Sequence, residues 1–346
     1  MSDGFDSAPP SDQDVYDITI VGAGPTGLFA AFYAGLREMK TKIIEALPEP
    51  GGQLAVLYPE KLIYDVPGHS KIMAKDLVAA LVDQCALFEP TYVYEQRIDD
   101  LRQIEVQGES VWALQNHHEM HYSRTVLIGG GIGAFVPNRL DVPGAAEFEN
   151  RGLHYFVKDK RPFRGKRILV VGGGDTAVDW CLNLRDWASD ITLIHRRDGF
   201  RAHEASLAEL QASPIDVMTF WQLESVRGNG DGELAQVTIQ ESRSGETRDL
   251  DVDAVLINIG FKAALGPITD WGLELADKRH IRVDGFMETN LPGIFAAGDI
   301  AAVEGSEPLN LIVTGFAQAA IAANAARQRV DPKARLFPGH SSELRL

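Results

Sequence analysis

A β-branched apolar run, Ile18-Thr19-Ile20-Val21, leads without a gap into Gly22-Ala23-Gly24-Pro25-Thr26-Gly27. The run reads as a buried parallel strand, and the G-x-G-x-x-G pattern behind it opens a helix. In that arrangement the first glycine makes the tight turn and the second lets the backbone approach a pyrophosphate. The third lets the helix pack close to the strand, and the phosphate rests on the helix N-terminus. Taken alone, such a loop serves close packing as readily as it holds a dinucleotide. The rest of the chain has to decide between the two.

With 346 residues, 45% of them hydrophobic, the chain can bury a large core and is expected to form two domains. A net charge of −16 argues against broad binding to nucleic acid or to anionic membranes. No apolar run is long enough to span a bilayer. The first residues, MSDGFDSAPPSDQD, are acidic and rich in Pro and Ser, so residues 1–14 are expected to be a disordered tail and not a signal peptide. A cytoplasmic protein is the expectation. Cys85 and Cys181 are far apart in helix-like apolar stretches and read as buried core thiols, and no C-x-x-C exists.

After the loop, Leu28, Phe32 and Leu36 recur at the spacing of a helix face laid on a sheet. A second strand, residues 41–44, ends in Glu45. That residue lies 18 positions past Gly27, near the offset at which an acid accepts a hydrogen bond from an adenosine ribose. An exposed glutamate at a strand end is the plainer reading, but behind a glycine loop the ribose role is favoured. A turn-rich stretch, residues 48–54, precedes Leu57-Tyr58-Pro59-Glu60, and residues 75–88 read as a helix stopped ahead of Pro90. Short alternating strands then run to Ile128, with a turn at 108–110. They close in residues 125–128, a strand returning to the sheet. Pro137, Pro143 and Gly144 mark a linker.

Beyond the linker the chain begins again. Arg167-Ile168-Leu169-Val170-Val171 feeds Gly172-Gly173-Gly174-Asp175-Thr176-Ala177, a G-x-G-x-x-A loop, and its helix carries Val178, Cys181, Leu182 and Leu184. A strand at 191–194, a meander at 217–252 and a return strand at 254–260 complete an internal repeat, far more specific than one loop. The copies differ where an adenosine would be read. His195 lies 18 positions past Ala177, the offset of Glu45 in the first copy, and it opens His195-Arg196-Arg197-Asp198-Gly199-Phe200-Arg201. An acid suits a free ribose 2′-hydroxyl, whereas arginines make charge-assisted, often bidentate bonds to a 2′-phosphate. Any one of these residues fits a solvated basic turn. Three arginines here, in a strongly acidic protein, favour NADPH in the second module and a non-phosphorylated dinucleotide in the first. A last block, 291–300, ends a strand in Gly298-Asp299 ahead of an Ala-rich helix at 314–326 and a tail from about 331.

GAGPTG, GGQL, GGGDTA, HRRDGFR and PGIFAAGD together resemble the two-dinucleotide-domain flavoproteins of the thioredoxin reductase family, over nearly the whole chain. The resemblance implies an α/β fold with two Rossmann-type, three-layer ββα domains. The FAD domain would be discontinuous, 15–137 and 262–346 with a C-terminal extension from about 331, and the NADPH domain would span 138–261. FAD contacts fall to Gly22, Gly24, Thr26, Gly27, Glu45, Gln53, Ile98 and Phe135, with Asp299 near the ribityl and phosphate part. NADPH contacts fall to Gly172, Gly174, Asp175, Thr176, Ala177, His195, Arg196, Arg197 and Arg201. No metal is implied.

One departure bears on the activity. Thioredoxin reductases carry a redox C-x-x-C before the second Rossmann strand, where this chain has Tyr155-Phe156-Val157-Lys158-Asp159-Lys160. Without a dithiol, electrons cannot reach a protein disulfide by thiol exchange. The closer resemblance is to the thioredoxin-reductase-like ferredoxin/flavodoxin–NADP+ reductases, through YDITIVGAGPTGLFAAFYAG, LYPEK, YFVKD, HRRDGFRAHE and DPKARLFPGHSS. It implies hydride exchange between NADPH and FAD, one-electron exchange with ferredoxin or flavodoxin, and a homodimer, with no residue acting as acid or base. Tyr58 would stack on one flavin face. His340, with Ser341 and Ser342 beside it, would cover the other face in the partner subunit, and the domains would rotate about Pro137 and Phe261. Rival readings are an NADPH-dependent flavin oxidase or quinone reductase and a non-catalytic NADPH-responsive protein. Lys40, Lys42, Lys71 and Lys75 are candidates for docking an acidic carrier.

Overall fold

Strand β1 (Val15–Val21) is flanked on both sides, which is why its Ile18 and Ile20 are fully buried. It pairs in parallel with β2 (Thr41–Ile44) on one edge. The computed structural model describes residues 11–340 except Tyr58, His118, Ile132, Lys158 and Pro338. Helix α1 (Pro25–Leu36) starts with proline at its first turn, where the missing N–H costs nothing. The sheet-facing stripe expected at Leu28, Phe32 and Leu36 is corrected: the buried residues are Gly27, Leu28, Ala30, Ala31, Ala34 and Gly35. Small side chains let the helix lie close, and the ring of Phe88 fills the space where a Gly35 side chain would stand.

Helix α2 (Ala74–Ala86) buries Leu77, Leu81 and Cys85 and leads to β3 (Thr91–Val93), parallel to β2. The antiparallel strands β4 (Asp100–Val106) and β5 (Glu109–Gln115) turn at Gln107 and Gly108, both at positive φ. They are followed by β6 (Met120–Ile128), which serves as meander strand and return strand at once. Residues 120–123 pair antiparallel with β5, while residues 122–128 run parallel to β1. The expected tail at 1–14 needs correction for its last residues. Asp12–Asp14 is a 3-10 turn closed by Ser11 and tied by Asp12 to Arg124 at 2.6 Å.

The chain then crosses into a second compact unit, Phe135–Lys262, while the described residues up to Ala134 and from Ala263 onward form the first. In the second unit, β7 (Leu153–His154), β8 (Arg167–Gly172), β9 (Asp190–His195) and β10 (Asp216–Thr219) join a parallel sheet with the later return strand. Helix α3 (Asp175–Leu184) follows β8, and α4 (Glu204–Gln211) lies between β9 and β10. Val217, expected in the meander, belongs to β10 instead. The meander proper is a separate antiparallel sheet of β11 (Trp221–Gly228), β12 (Leu234–Glu241) and β13 (Thr247–Asp251). Return strand β14 (Ala254–Asn258) pairs with β8 and β7, giving the order β7-β14-β8-β9-β10.

Back in the first unit, β15 (Ile281–Val283) pairs in parallel with β17 (Ala301–Val303). Between them β16 (Ile294–Ala296) aligns Ile294 with Val126 on β6. The parallel strands of the first unit thus run β16-β6-β1-β2-β3, the order found in the second. The outermost strand comes late in the chain in one copy and early in the other. Helix α5 (Ile312–Val330), longer than the expected 314–326, packs its alanines on α1. No helix among the described residues is long and apolar enough to cross a membrane.

Candidate dinucleotide sites

The three glycines of the first loop are required for different reasons. A Cβ on Gly22 would lie 2.7 Å from the Gly129 carbonyl, and one on Gly27 would lie 1.9 Å from the Gly22 carbonyl. Those two glycines are demanded by the protein's own packing. Gly24 is not, because its φ of −70° suits any residue and nothing lies within 4 Å of where its Cβ would be. The open space beside the α1 N-terminus fits a pyrophosphate approached by backbone.

Glu45, only 7% exposed, sits beside this space at the end of β2. Its carboxylate accepts hydrogen bonds from the N–H of Ala23 at 2.6 Å and of Leu47 at 2.9 Å. Gly51 donates its N–H to the Ala23 carbonyl, bringing the GGQL turn against the loop. There Gln53 places its amide nitrogen 3.1 Å from the position a Gly131 Cβ would take. Asp299 lies on the 3-10 turn Gly298–Ile300, entered through the positive φ of Gly298. Among the described residues no hydrogen bond reaches its carboxylate. Burial raises its pKa, relieved only by the charge of His280.

Other first-site expectations change. The Thr26 side chain faces the protein: its hydroxyl lies 2.7 Å and 2.3 Å from the Cβ positions of Gly298 and Gly315. Its backbone N–H lies in the first turn of α1, at the mouth of the open space. Ile98 is 3% exposed and packs in the main apolar cluster. Phe135 lies in the strand Ala134–Pro137. Tyr58, Ser341 and Ser342 fall outside the described residues. His340 is exposed, its ring edge-on to Phe337 at 5.4 Å. Sequence reasoning missed Gln318, whose side-chain oxygen accepts the Gly298 N–H at 2.7 Å and holds the Asp299 turn on α5. A glutamine set among the alanines of that helix was the available signal.

The second loop repeats the division of labour. A Cβ on Gly172 would lie 2.3 Å from the Asn258 carbonyl, whereas the nearest atom to one on Gly174 would be the Arg201 carbonyl oxygen at 3.9 Å. The arginine turn is folded down onto this loop. Arg201 donates its N–H to the Gly173 carbonyl at 2.7 Å, and Asp175 accepts the His203 N–H at 2.9 Å. The His195 imidazole occupies the space over Gly173 and packs against Phe200. Burial and the neighbouring Arg196 and Arg197 hold its pKa below the usual histidine value. His195 thus supports the arginine turn from beneath, beside the loop. Thr176 is half-buried and Ala177 fully buried at the start of α3. Arg196, Arg197 and Arg201 are exposed, and among the described residues none forms an ion pair. Three uncompensated guanidiniums on one turn fit a phosphate dianion.

Of the four lysines considered for docking, Lys42 is buried and hydrogen-bonded to His121, so it is withdrawn. Lys40 is engaged with the Gln13 and Val15 carbonyls and the Tyr16 ring, and Lys75 pairs with Glu60. Lys71 remains exposed. Both cysteines are buried and free, one in each unit, with burial raising their pKa values.

Two glycine-rich strand–turn–helix loops, each backed by the loop behind the second strand of a parallel sheet, define a two-dinucleotide α/β oxidoreductase. The chain belongs to the pyridine nucleotide-disulphide oxidoreductase family, whose model matches residues 16–326. It is 50% identical over 336 residues to a ferredoxin–NADP reductase of Symbiobacterium thermophilum, covering 96% of this chain and 98% of that one. It is 47% identical over 333 residues to a ferredoxin–NADP reductase of Geobacillus thermodenitrificans, with the same coverage. Among solved structures, Lactococcus lactis thioredoxin reductase has a TM-score of 0.73 at 28% identity, covering 91% of this chain and 99% of that one. A T. acidophilum thioredoxin reductase, at TM-score 0.74, 23% identity and coverage of 91% and 98%, shares the fold. The α/β architecture with two Rossmann-type domains implied by the sequence resemblance is the one observed.

Proposed function

We propose that this chain is a ferredoxin–NADP+ reductase that holds FAD on the Gly22–Gly27 loop and NADPH on the Gly172–Ala177 loop. The observation that carries the reading is the contrast between equivalent positions. Glu45 stands at the first loop, and three arginines without ion pairs among the described residues stand at the second. One site thus suits a free ribose and the other a 2′-phosphate, so the two dinucleotides differ. Bound FAD supplies the exchange between a hydride donor and a one-electron carrier, so one NADPH reduces two ferredoxins.

The chain's own residues bind and orient. Glu45 ties the turn at Ala23 and offers its remaining acceptor capacity to the adenosine ribose. Asp299 meets the polar hydroxyls of the ribityl part, gaining the hydrogen bonds it lacks. Arg196, Arg197 and Arg201 grip the 2′-phosphate. Tyr58 and His340 shield the two flavin faces, His340 from the partner subunit of a homodimer. No side chain is required to move a proton. With both thiols buried and in separate units, disulfide exchange has no path. Flavodoxin is proposed as an alternative carrier of the same electrons.

The test is NADPH-driven reduction of a ferredoxin, a flavodoxin, molecular oxygen and a disulfide by the purified yellow protein. Reduction of ferredoxin or flavodoxin well ahead of the others is expected. Rapid oxygen or quinone turnover with slow ferredoxin reduction would replace the reading with an oxidase. Bound flavin that NADPH cannot bleach would make the chain a non-catalytic binder, and a protein colourless after FAD addition would end the flavoprotein reading.

A further inference from the structure

Arg37 caps the C-terminus of α1 and is only 7% exposed. An arginine there ordinarily serves the last carbonyls of its own helix. This one reaches elsewhere. Its Nη1 donates to the Asn324 side-chain oxygen and to the Leu336 main-chain carbonyl at 3.1 Å, and its Nη2 donates to the Arg335 carbonyl at 2.7 Å. Asn324 lies on α5 and donates its own amide to the Ala320 carbonyl, which turns its oxygen toward Arg37. Among the described residues no carboxylate pairs with the guanidinium. Burial and the nearby Arg327 both lower its pKa from the ordinary arginine value.

A buried cation without a counter-charge is costly unless each N–H finds an acceptor. In a chain with 49 acidic and 33 basic residues, a carboxylate partner would have been easy to supply. The acceptors present are instead the Asn324 side-chain oxygen and two successive peptide carbonyls at the root of the C-terminal extension. That extension leaves α5 at Asp331, crosses Arg37 at Arg335 and Leu336, and then carries Phe337, 65% exposed, and the exposed His340. The four residues from Phe337 to His340 span at most about 14 Å. Where His340 can act is therefore set by where Leu336 is held.

We propose that Arg37 is the positioning residue of the C-terminal extension: by binding the Arg335 and Leu336 carbonyls it fixes the point from which Phe337 and His340 are presented to a flavin face. The proposal rests on the reading of His340 as a flavin shield. It joins three segments through one side chain: the helix that opens the FAD cradle, the helix that follows Asp299, and the extension.

The test uses the full-length FAD-loaded protein and its Arg37→Met, Arg37→Lys, His340→Ala and Arg37→Met/His340→Ala variants. The readouts are amide hydrogen exchange in residues 332–337 and the visible absorption band of the flavin. Arg37→Met should raise exchange at 332–337 by about tenfold or more while β1 and β6 keep their protection. It should also move the flavin band in the same direction as His340→Ala, with no added shift in the double variant. Arg37→Lys, which keeps the charge but loses the two-pronged donor, should fall between, and it carries the test if Arg37→Met fails to fold. Unchanged exchange overturns the anchor. Additive spectral shifts overturn the positioning role. A silent His340→Ala overturns the shield reading and the positioning role with it, while exchange at 332–337 still reports whether Arg37 latches the extension.

Discussion

The carboxylate of Glu45 accepts the N–H of Ala23 at 2.6 Å, so the residue that ends one strand holds the turn that follows another. The bond orients the loop before any ligand arrives and leaves acceptor positions on the carboxylate for a ribose. Hydrogen bonds to a charged group contribute about 1.5–3 kcal/mol. Glu45→Ala should therefore weaken FAD binding roughly 10- to 100-fold, measured by fluorescence titration of the FAD-free protein. An unchanged dissociation constant would remove Glu45 from the site.

Gly24 and Gly27 sit three residues apart and should respond oppositely to the same methyl group. Gly27→Ala drives a Cβ to 1.9 Å from a backbone carbonyl and must shift the loop. Overpacking of this kind costs about 1–3 kcal/mol, which should lower the melting temperature by several degrees with or without FAD. Gly24→Ala meets no protein atom within 4 Å and strains no dihedral. It should leave the melting temperature of the FAD-free protein within about a degree while reducing FAD affinity at least tenfold. Equal melting temperatures for the two FAD-free variants would undo the packing contrast, and an unchanged FAD affinity in Gly24→Ala would show that the open space beside Gly24 is not a ligand's.

Much of this was legible in the sequence because local chemistry and fold agree at the two loops. A β-branched run before a glycine loop leaves few alternatives, and the 18-residue offsets to Glu45 and His195 follow from one helix and one strand of fixed pitch. What was not legible came from tertiary contacts. The period at Leu28, Phe32 and Leu36 is real, yet close helix–sheet approach selected the small residues instead, and Phe88 took the space of Gly35. Thr26 faces two glycines that lie far along the chain, and no spacing rule joins them. Lys42 looked like a surface charge on a short strand, but β6 brings His121 over it. Arg37 has no signal at all in a linear reading, since its acceptors are main-chain carbonyls near the far end of the chain.

Arg196 and Arg197 are exposed on a turn whose base is pinned by the Arg201 N–H to the Gly173 carbonyl. Because the pin is backbone, their side chains can be changed without moving the loop. Arg196→Glu/Arg197→Glu should raise the KM for NADPH at least 100-fold and that for NADH less than about threefold, as two charge-assisted contacts to the 2′-phosphate are lost. Steady-state kinetics with both nucleotides checks this, and parallel losses would deny the assignment.

Asp299 has its pKa raised by burial, opposed by the charge of His280. A carboxyl with a raised pKa in the fold favours the folded state at low pH. That benefit is lost as pH rises through the raised value, so at neutral pH the ionised group is a net cost. Asp299→Asn should raise the melting temperature of the FAD-free protein at pH 7 by about a degree or two, and the gain should shrink in acid. The same change should weaken FAD binding, because the amide is a poorer acceptor for ribityl hydroxyls. Calorimetry of both forms decides: a lower melting temperature without FAD would mean that the carboxylate stabilises the fold.

His121 titrates in the opposite sense. It is 3% exposed, and its Nδ1 accepts a hydrogen bond from the Lys42 ammonium at 3.2 Å while its Nε2–H donates to the Gln96 side-chain oxygen at 2.9 Å. A second ring proton would have to sit at Nδ1, against a cation. Burial first and Lys42 next depress its pKa from 6.5 to about 4. The unfolded chain then binds the proton more readily between those values. Stability supplied by the neutral ring is complete above pH 6.5 and is lost as pH falls toward 4. That gap is worth roughly 3 kcal/mol at its limit. His121→Gln keeps an acceptor for Lys42 and a donor for Gln96 but cannot be protonated. Its unfolding free energy should match the parent's near pH 7 and exceed it by about 1–2 kcal/mol near pH 5. Parallel denaturant curves at the two pH values measure this, and identical acid losses would show that the Lys42–His121 pair does not govern the response.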